Sequence, residues 1–121
     1  MRTLKELYRE ISSVADYSEI TVTDPNTPGL FGNRPLHIAA VWGDCEAIEI
    51  LIKAGAEINQ KGEHGFTPLL EAVAQGNLEA VKVLVKHGAQ AIKNDEEQSP
   101  SEYAQISKNE AMVKYLQEHG L

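Results

Sequence analysis

Two stretches of this chain repeat nearly the same residues 33 positions apart, and this period constrains the fold more than any other feature. Residues 32–56 read GNRPLHIAAVWGDCEAIEILIKAGA, and residues 65–89 read GFTPLLEAVAQGNLEAVKVLVKHGA. A third, more divergent copy follows at 98–121, with an offset of 32. Repeats of roughly 20–50 residues are typical of solenoids, in which each unit packs only on its neighbours. The sequence therefore predicts a stack whose core is a line of interfaces between repeats.

Each full copy reads as two short helices joined by a tight turn. In the second copy, Thr67 is a good N-cap and Pro68 suits the first helical position, while Gly76 ends the first helix. A one-sided apolar stripe predicts a second helix over about residues 78–87. Isolated helices of this length are marginally stable in water, so neighbouring repeats have to complete each other's core.

These residues resemble the ankyrin repeat, whose pattern is roughly G-x-T-P-L-H-x-A-A-x-x-G-x-x-E-x-V-x-x-L-L-x-x-G-A-x-x-N. The first copy matches it at Pro35, Leu36, His37, Ala39, Ala40, Gly43, Glu46, Leu51, Gly55, Ala56 and Asn59. The second copy matches it at Gly65, Thr67, Pro68, Leu69, Ala72, Gly76, Glu79, Val81, Leu84, Gly88 and Ala89. The resemblance covers about residues 31–121 and implies an all-α solenoid of stacked helix-turn-helix units with projecting loops.

We expect one domain over residues 1–121. Its predicted units are an N-terminal cap helix and loop (1–31), a first repeat (32–64), a second repeat (65–96) and a degenerate C-terminal capping repeat (97–121). Residues 1–31 do not follow the repeat pattern well, but Thr3 and Glu6 have the spacing of a capping box and an apolar stripe follows them. A helix that covers the open end of the first repeat is favoured over a helix that docks on a partner.

Both full copies depart from the family pattern at the Thr and His that usually hydrogen-bond within one repeat. The first copy has His37 but carries Arg34 at the Thr position, and the second has Thr67 but carries Leu70 at the His position. Neither copy can form this bond, so we expect a stack somewhat less stable than an idealised one.

The net charge of −7 argues against nonspecific binding to nucleic acid, which needs positive charge to displace counterions. It favours a basic or neutral protein partner, because complementary charge speeds association. No apolar run approaches the length of a membrane span, and the N-terminus lacks the apolar stretch of a signal peptide. We therefore expect a cytoplasmic protein that has no membrane partner and is monomeric on its own.

The sequence carries no motif for catalysis, metal binding or cofactor binding. The spacings HExxH, CxxC, GxSxG and the P-loop are absent, and the single cysteine, Cys45, excludes an internal disulfide. The acidic stretch 95–97 lacks the alternating ligands of a calcium loop. These observations predict a protein that is not an enzyme and has neither cofactor nor metal.

The resemblance implies a partner that contacts the loop tips and the concave face of the first helices. Carried over by position, the predicted partner-binding residues are Leu30, Phe31, Asn33, Val41, Trp42, Glu63, His64, Phe66, Ala74, Gln75, Asp95, Glu96, Gln98 and Ser107. Trp42, the only Trp, is favoured because Trp is common at interface hot spots, although packing against the N-terminal segment is the alternative. Leu30 and Phe31 either fold back onto the cap or are exposed for binding.

Three functions remain open at this point. The favoured one is a non-enzymatic interaction module that binds a protein partner. A compact acidic chain of this length also resembles small bacterial ankyrin proteins, some of which are immunity partners that neutralise a toxin, so an inhibitor of a basic toxin or enzyme is the first alternative. The second alternative is a scaffold that associates with itself through an open end at the third repeat.

Overall fold

The computed structural model describes residues 2–121 and consists of α-helices joined by turns and loops. In chain order the helices of this part are α1 (Leu4–Ser12), α2 (Pro35–Trp42), α3 (Cys45–Lys53), α4 (Pro68–Ala74), α5 (Leu78–Lys86), α6 (Pro100–Ile106) and α7 (Glu110–Glu118). Helices α2, α4 and α6 pack side by side in one layer, and each contacts the second helix of its own pair. The prediction of an all-α stack of helical pairs is confirmed.

The helices begin at the same cap positions in successive repeats. The side chains of Asp44, Asn77 and Asn109 accept hydrogen bonds of 3.0, 2.9 and 3.2 Å from backbone N–H groups in the first turns of α3, α5 and α7. Thr67 and Ser99 cap α4 and α6 in the same way, each directly before a Pro at the first helical position. Because such caps satisfy N–H groups that the helix itself leaves unpaired, short helices begin at defined residues.

His37 forms one hydrogen bond within the first repeat and one to the second repeat. Its Nδ1 accepts a 3.0 Å bond from the backbone N–H of Arg34, and its Nε2–H donates a 2.9 Å bond to the carbonyl of Phe66. Burial lowers the pKa of His37, so the ring is neutral at pH 7, as these two bonds require. The Thr–His bond within one repeat is absent, as expected, but His37 instead links the first repeat to the second.

The core runs as a continuous row of apolar side chains from α1 to α7. Its large, fully buried members include Leu7, Ile11, Leu36, Ile48, Leu51, Leu69, Leu70, Leu84, Met112 and Leu116. Small side chains at equivalent positions of the first helices, Ala39, Ala72 and Ala104, are completely buried and let these helices approach closely. The core therefore lies between neighbouring repeats, as a solenoid requires.

Helix α1 covers the N-terminal end of the stack by packing on α2 and α3. The predicted capping box begins it. Arg2 links α1 to the start of α3. Its guanidinium donates hydrogen bonds to the carboxylates of Asp44 and Glu46 at the start of α3 and to that of Glu10 in α1. The predicted N-terminal capping helix is confirmed.

Asn26 in the N-terminal segment makes the same pair of hydrogen bonds as Asn59 in the first repeat. The side chain of Asn26 accepts a 2.9 Å bond from the N–H of Glu57 and donates a 3.1 Å bond to the carbonyl of Gly55. Asn59, 33 residues later, makes the equivalent two bonds with the end of the second repeat. Asn26 thus joins the segment before the first repeat to the loop after α3, as Asn59 joins the first repeat to the loop after α5.

A groove of about 680 Å³ lies at the C-terminal end of the stack and is lined by Gln105, Lys108, Glu110, Val113, Lys114, Gln117 and Glu118. Six of these seven side chains end in a polar or charged group. Three of them, Gln105, Glu110 and Gln117, stand where the second repeat has Val73, Leu78 and Val85. Polar groups on the outer face of a terminal repeat are typical of solenoids. Across residues 2–121, none of the helices combines the length and apolar character needed to cross a bilayer.

Lys108 occupies a backbone conformation that suits glycine, because its φ is 57° and the equivalent Gly43 and Gly76 have φ of 67° and 69°. A side chain with a Cβ is strained in this left-handed region. We predict that Lys108→Gly raises the free energy of unfolding by about 1 kcal/mol, measured by urea denaturation. The matched change Lys114→Gly, inside α7, is expected to lower it by about 1 kcal/mol. A Lys108→Gly protein no more stable than the parent would contradict the assigned strain.

Candidate protein-binding surface

Three loops project from the same side of the stack, and we call them fingers 1, 2 and 3. Each finger is closed by a backbone hydrogen bond from its first residue to its fifth. These bonds join Gly29 to Asn33 (2.8 Å), Gly62 to Phe66 (2.7 Å) and Asn94 to Gln98 (3.1 Å). Finger 1 therefore comprises residues 29–33, finger 2 residues 62–66 and finger 3 residues 94–98.

The fingers are also bonded to the element that precedes each of them. The second residue of each finger donates its N–H to that element: Leu30 to the carbonyl of Asp16 (2.7 Å), Glu63 to the side chain of Asn33 (3.0 Å) and Asp95 to the carbonyl of His64 (3.1 Å). Loops tied at both their ends and their tips have few conformations to lose when a partner binds. The three fingers therefore have a defined conformation in the absence of a partner.

A groove of about 360 Å³ lies between fingers 2 and 3 and helix α6. It is lined by His64, Phe66, Asn94, Glu96, Gln98, Tyr103, Ile106 and Ser107. The rings of Phe66 and Tyr103 meet edge to face, with centroids 5.4 Å apart. Ile106, at the C-terminal end of α6, leaves 63% of its surface exposed. The groove thus has an apolar part bounded by polar finger residues.

Five of the predicted partner-binding residues line the groove, namely His64, Phe66, Glu96, Gln98 and Ser107. The groove is also lined by Asn94, Tyr103 and Ile106, which the sequence did not indicate. Ile106 could have been found, because it stands at the same repeat position as Val41 and Ala74, which were both predicted.

The other predicted residues lie at the finger tips and at the ends of α2 and α4. Leu30 and Phe31 are 56% and 54% exposed, so they do not fold back onto the cap, and Trp42 is 41% exposed. Val41, Glu63, Gln75 and Asp95 are also exposed, whereas Ala74 is partly buried.

Asn33 is not available to a partner, which corrects its place in the predicted set. It is only 6% exposed, and its amide nitrogen donates a 3.0 Å bond to the carboxylate of Asp16. Its amide oxygen accepts the N–H of Glu63. Asn33 therefore joins finger 1 to finger 2 and serves the fold.

A family model described as ankyrin repeats matches three copies over residues 36–121, which is more than half of the chain. The chain belongs to the ankyrin-repeat family. Ankyrin repeats are generally protein–protein interaction modules and are typically non-enzymatic. A comparison with curated proteins gave no match. Within residues 2–121, no group of three or more His, Cys, Asp or Glu side chains is placed to hold a metal ion.

One ankyrin position carries an unexpected charge. Glu71 in α4 stands where the first repeat has Ile38 and the third has Tyr103. Its side chain is partly buried, and no donor within residues 2–121 hydrogen-bonds to its carboxylate. Burial, followed by the nearby carboxylates of Glu63 and Asp16, raises the pKa of Glu71 to about 7. No local sequence pattern identifies Glu71, because three separate segments form its environment.

The raised pKa of Glu71 implies that the free energy of unfolding depends on pH. The fold favours the protonated form, so this contribution to stability is fully present below pH 4.5 and is lost as the pH rises through about 7. Glu71→Gln should therefore raise the free energy of unfolding at pH 8 by about 1–2 kcal/mol, after allowance for solvent screening, and leave it nearly unchanged at pH 4.5.

Urea denaturation at both pH values measures this effect. Glu118→Gln, which removes one exposed carboxylate at the end of α7, is the matched control and should change stability little at either pH. If Glu71→Gln and Glu118→Gln raised the free energy of unfolding equally at pH 8, the change in net charge would explain the stabilisation. The surroundings of Glu71 would then have no special effect.

Proposed function

We propose that this chain is a non-enzymatic adaptor that binds a protein partner through its fingers and the adjoining ends of α2, α4 and α6. One observation carries this proposal. The large apolar side chains that are exposed within residues 2–121 are Leu30, Phe31, Val41, Trp42 and Ile106. All five lie at a finger tip or at the end of a first helix, the positions that face partners in ankyrin repeats.

The physical case rests on what exposed apolar groups do in water. Their hydration is unfavourable, so a surface that collects them is typical of an interaction site. Trp42 adds a side chain of the type that dominates interface energies. Because the fingers are held by hydrogen bonds, little ordering of loops opposes binding.

The charge of the chain favours a basic partner. The net charge is −7, and fingers 2 and 3 place Glu63, Asp95 and Glu96 at their tips. This acidity is also the observation that favours the second candidate function, the inhibition of a basic toxin or enzyme in the cytoplasm.

A pull-down with purified variants tests the proposal. We predict that the double variant Trp42→Ala/Ile106→Ala captures about tenfold less of a protein that the wild-type chain captures from native lysate. The reason is that a few anchor side chains contribute most of the binding energy of an interface. Val113→Ala, in α7 and outside the fingers and the groove between fingers 2 and 3, should capture it as well as the parent. Circular dichroism confirms that each variant is folded.

Equal capture by the double variant would contradict the proposed surface and direct attention to another part of the chain. Once the captured protein is purified, its identity separates the two candidates. An inhibitor should abolish the activity of a basic enzyme or toxin at a ratio of one to one, whereas an adaptor should leave its partner active.

A further inference from the structure

The groove between fingers 2 and 3 and helix α6 brings three apolar side chains together at the surface. Phe66 and Tyr103 meet edge to face and are each partly exposed, and Ile106 leaves 63% of its surface exposed. All three line the groove, whose volume of about 360 Å³ lies at the lower end of the range of roughly 300–1,000 Å³ for sites that take small molecules. The groove therefore has room for one or two side chains of a partner.

Hydrogen bonds fix the walls of this groove. The N–H of Asp95 donates a 3.1 Å bond to the carbonyl of His64, which holds finger 3 against finger 2. Within finger 3, the amide oxygen of the buried Asn94 accepts the backbone N–H groups of Glu96 and Gln98 at 2.9 and 3.0 Å. Its amide nitrogen donates a 2.8 Å bond to the side chain of Gln98. Because the groove already has its shape, binding loses little free energy to the ordering of loops.

The charges of fingers 2 and 3 and of helix α6 are acidic. These segments contain no lysine or arginine, and their carboxylates belong to Glu63, Asp95, Glu96, Glu97 and Glu102. Lys61, Lys93 and Lys108 lie next to these segments in the sequence, but none of the three lysines lines the groove. Such a surface repels anions such as nucleic acid and attracts a cationic segment of a polypeptide.

Glu96 is the residue that brings this acidity into the groove, because it alone among the lining residues carries a carboxylate. Its side chain is exposed, and within residues 2–121 its carboxylate forms neither an ion pair nor a hydrogen bond. Lysine and arginine are the side chains that pair with a carboxylate. The pair gains strength beside an apolar surface, since a bound partner excludes part of the water that would screen it.

We propose that this groove binds an aliphatic or aromatic side chain of a partner polypeptide, while a lysine or arginine close to it in the partner's sequence pairs with Glu96. This inference rests on the proposed function and names the chemistry of the partner segment. The apolar side chain contacts Phe66, Tyr103 and Ile106, and the basic side chain lies at the wall that finger 3 forms. A segment that is only apolar or only basic satisfies one part of the groove and leaves the other unmatched.

A selection with displayed peptides tests the inference without a known partner. Short random peptides, displayed on phage, are selected on the full chain. We expect the enriched sequences to place Lys or Arg close to an aliphatic or aromatic residue. Synthetic peptides with these sequences should bind Glu96→Gln and Ile106→Ala about fivefold more weakly than wild type, measured by isothermal titration calorimetry.

Glu97→Gln is the matched control for Glu96→Gln. It removes the same charge from the next residue of finger 3, and Glu97 does not line the groove. The affinity of the peptides for this variant should stay within about twofold of wild type. Because the carboxylate of Glu96 is exposed and makes no bond within residues 2–121, Glu96→Gln should unfold at the same urea concentration as wild type.

A double-mutant cycle identifies the ion pair itself. Replacement of the basic residue of a selected peptide by Gln should weaken binding to wild type about fivefold, but binding to Glu96→Gln by less than about twofold. Equal weakening with both proteins would show that the basic residue contacts a different group, and it would overturn the role of Glu96.

Trp42→Ala separates this inference from the proposed function, because Trp42 belongs to the proposed surface and does not line the groove. Selected peptides that lack a basic residue overturn the inference and leave the proposed surface standing. The same holds for peptides that lose affinity for Trp42→Ala but bind Glu96→Gln and Ile106→Ala as well as wild type. Peptides that bind all three variants as well as wild type, or a selection that enriches no peptide, overturn both.

Discussion

Hydrogen bonds between adjacent repeats hold the backbone of fingers 2 and 3 in position. Burial of apolar groups drives the repeats together, but this force is non-directional and does not fix how far one repeat slides over the next. Directional hydrogen bonds fix this offset between neighbouring repeats. His37 holds the carbonyl of Phe66, Asn33 holds the N–H of Glu63, and Asn59 holds the loop after α5. The positions of the fingers, and hence the shape of the groove, depend on these bonds.

Because the bonds use backbone groups and buried side chains, the finger tips themselves are free to vary. Finger 1 is apolar at Leu30 and Phe31, whereas finger 3 is acidic at Asp95 and Glu96. The finger tips therefore change from apolar to acidic along the stack, while Ile106 keeps an apolar group beside finger 3.

The sequence predicted the parts of this structure that depend on nearby residues. Helix starts such as that of α4 follow from Thr67 and Pro68 alone, and the period of 33 predicts the stacking. The roles of Asn26 and Asn33 escaped prediction because their partners are 31 and 30 residues away. The sequence alone does not distinguish an asparagine that is exposed from one that is buried. The difference depends on the hydrogen-bond partner that the fold brings next to its side chain.

The candidate surface was predictable to the same degree. Trp42 was identified because its repeat position is known, and Ile106 would have followed from the same argument. Glu71 could not be identified in this way. Its unusual pKa arises from burial together with the charges of finger 2 and the N-terminal segment, and no local pattern encodes that combination.

Amide hydrogen exchange measured by NMR tests most directly the claim that each finger is organised by a bond to the element that precedes it. The N–H groups of Leu30, Glu63 and Asp95 donate these bonds, whereas those of the following residues Phe31 and His64 donate none within residues 2–121. The account predicts that the first three exchange only through unfolding of the stack, while Phe31 and His64 exchange at rates typical of loops. Exchange of Leu30, Glu63 and Asp95 as fast as that of Phe31 and His64 would contradict it.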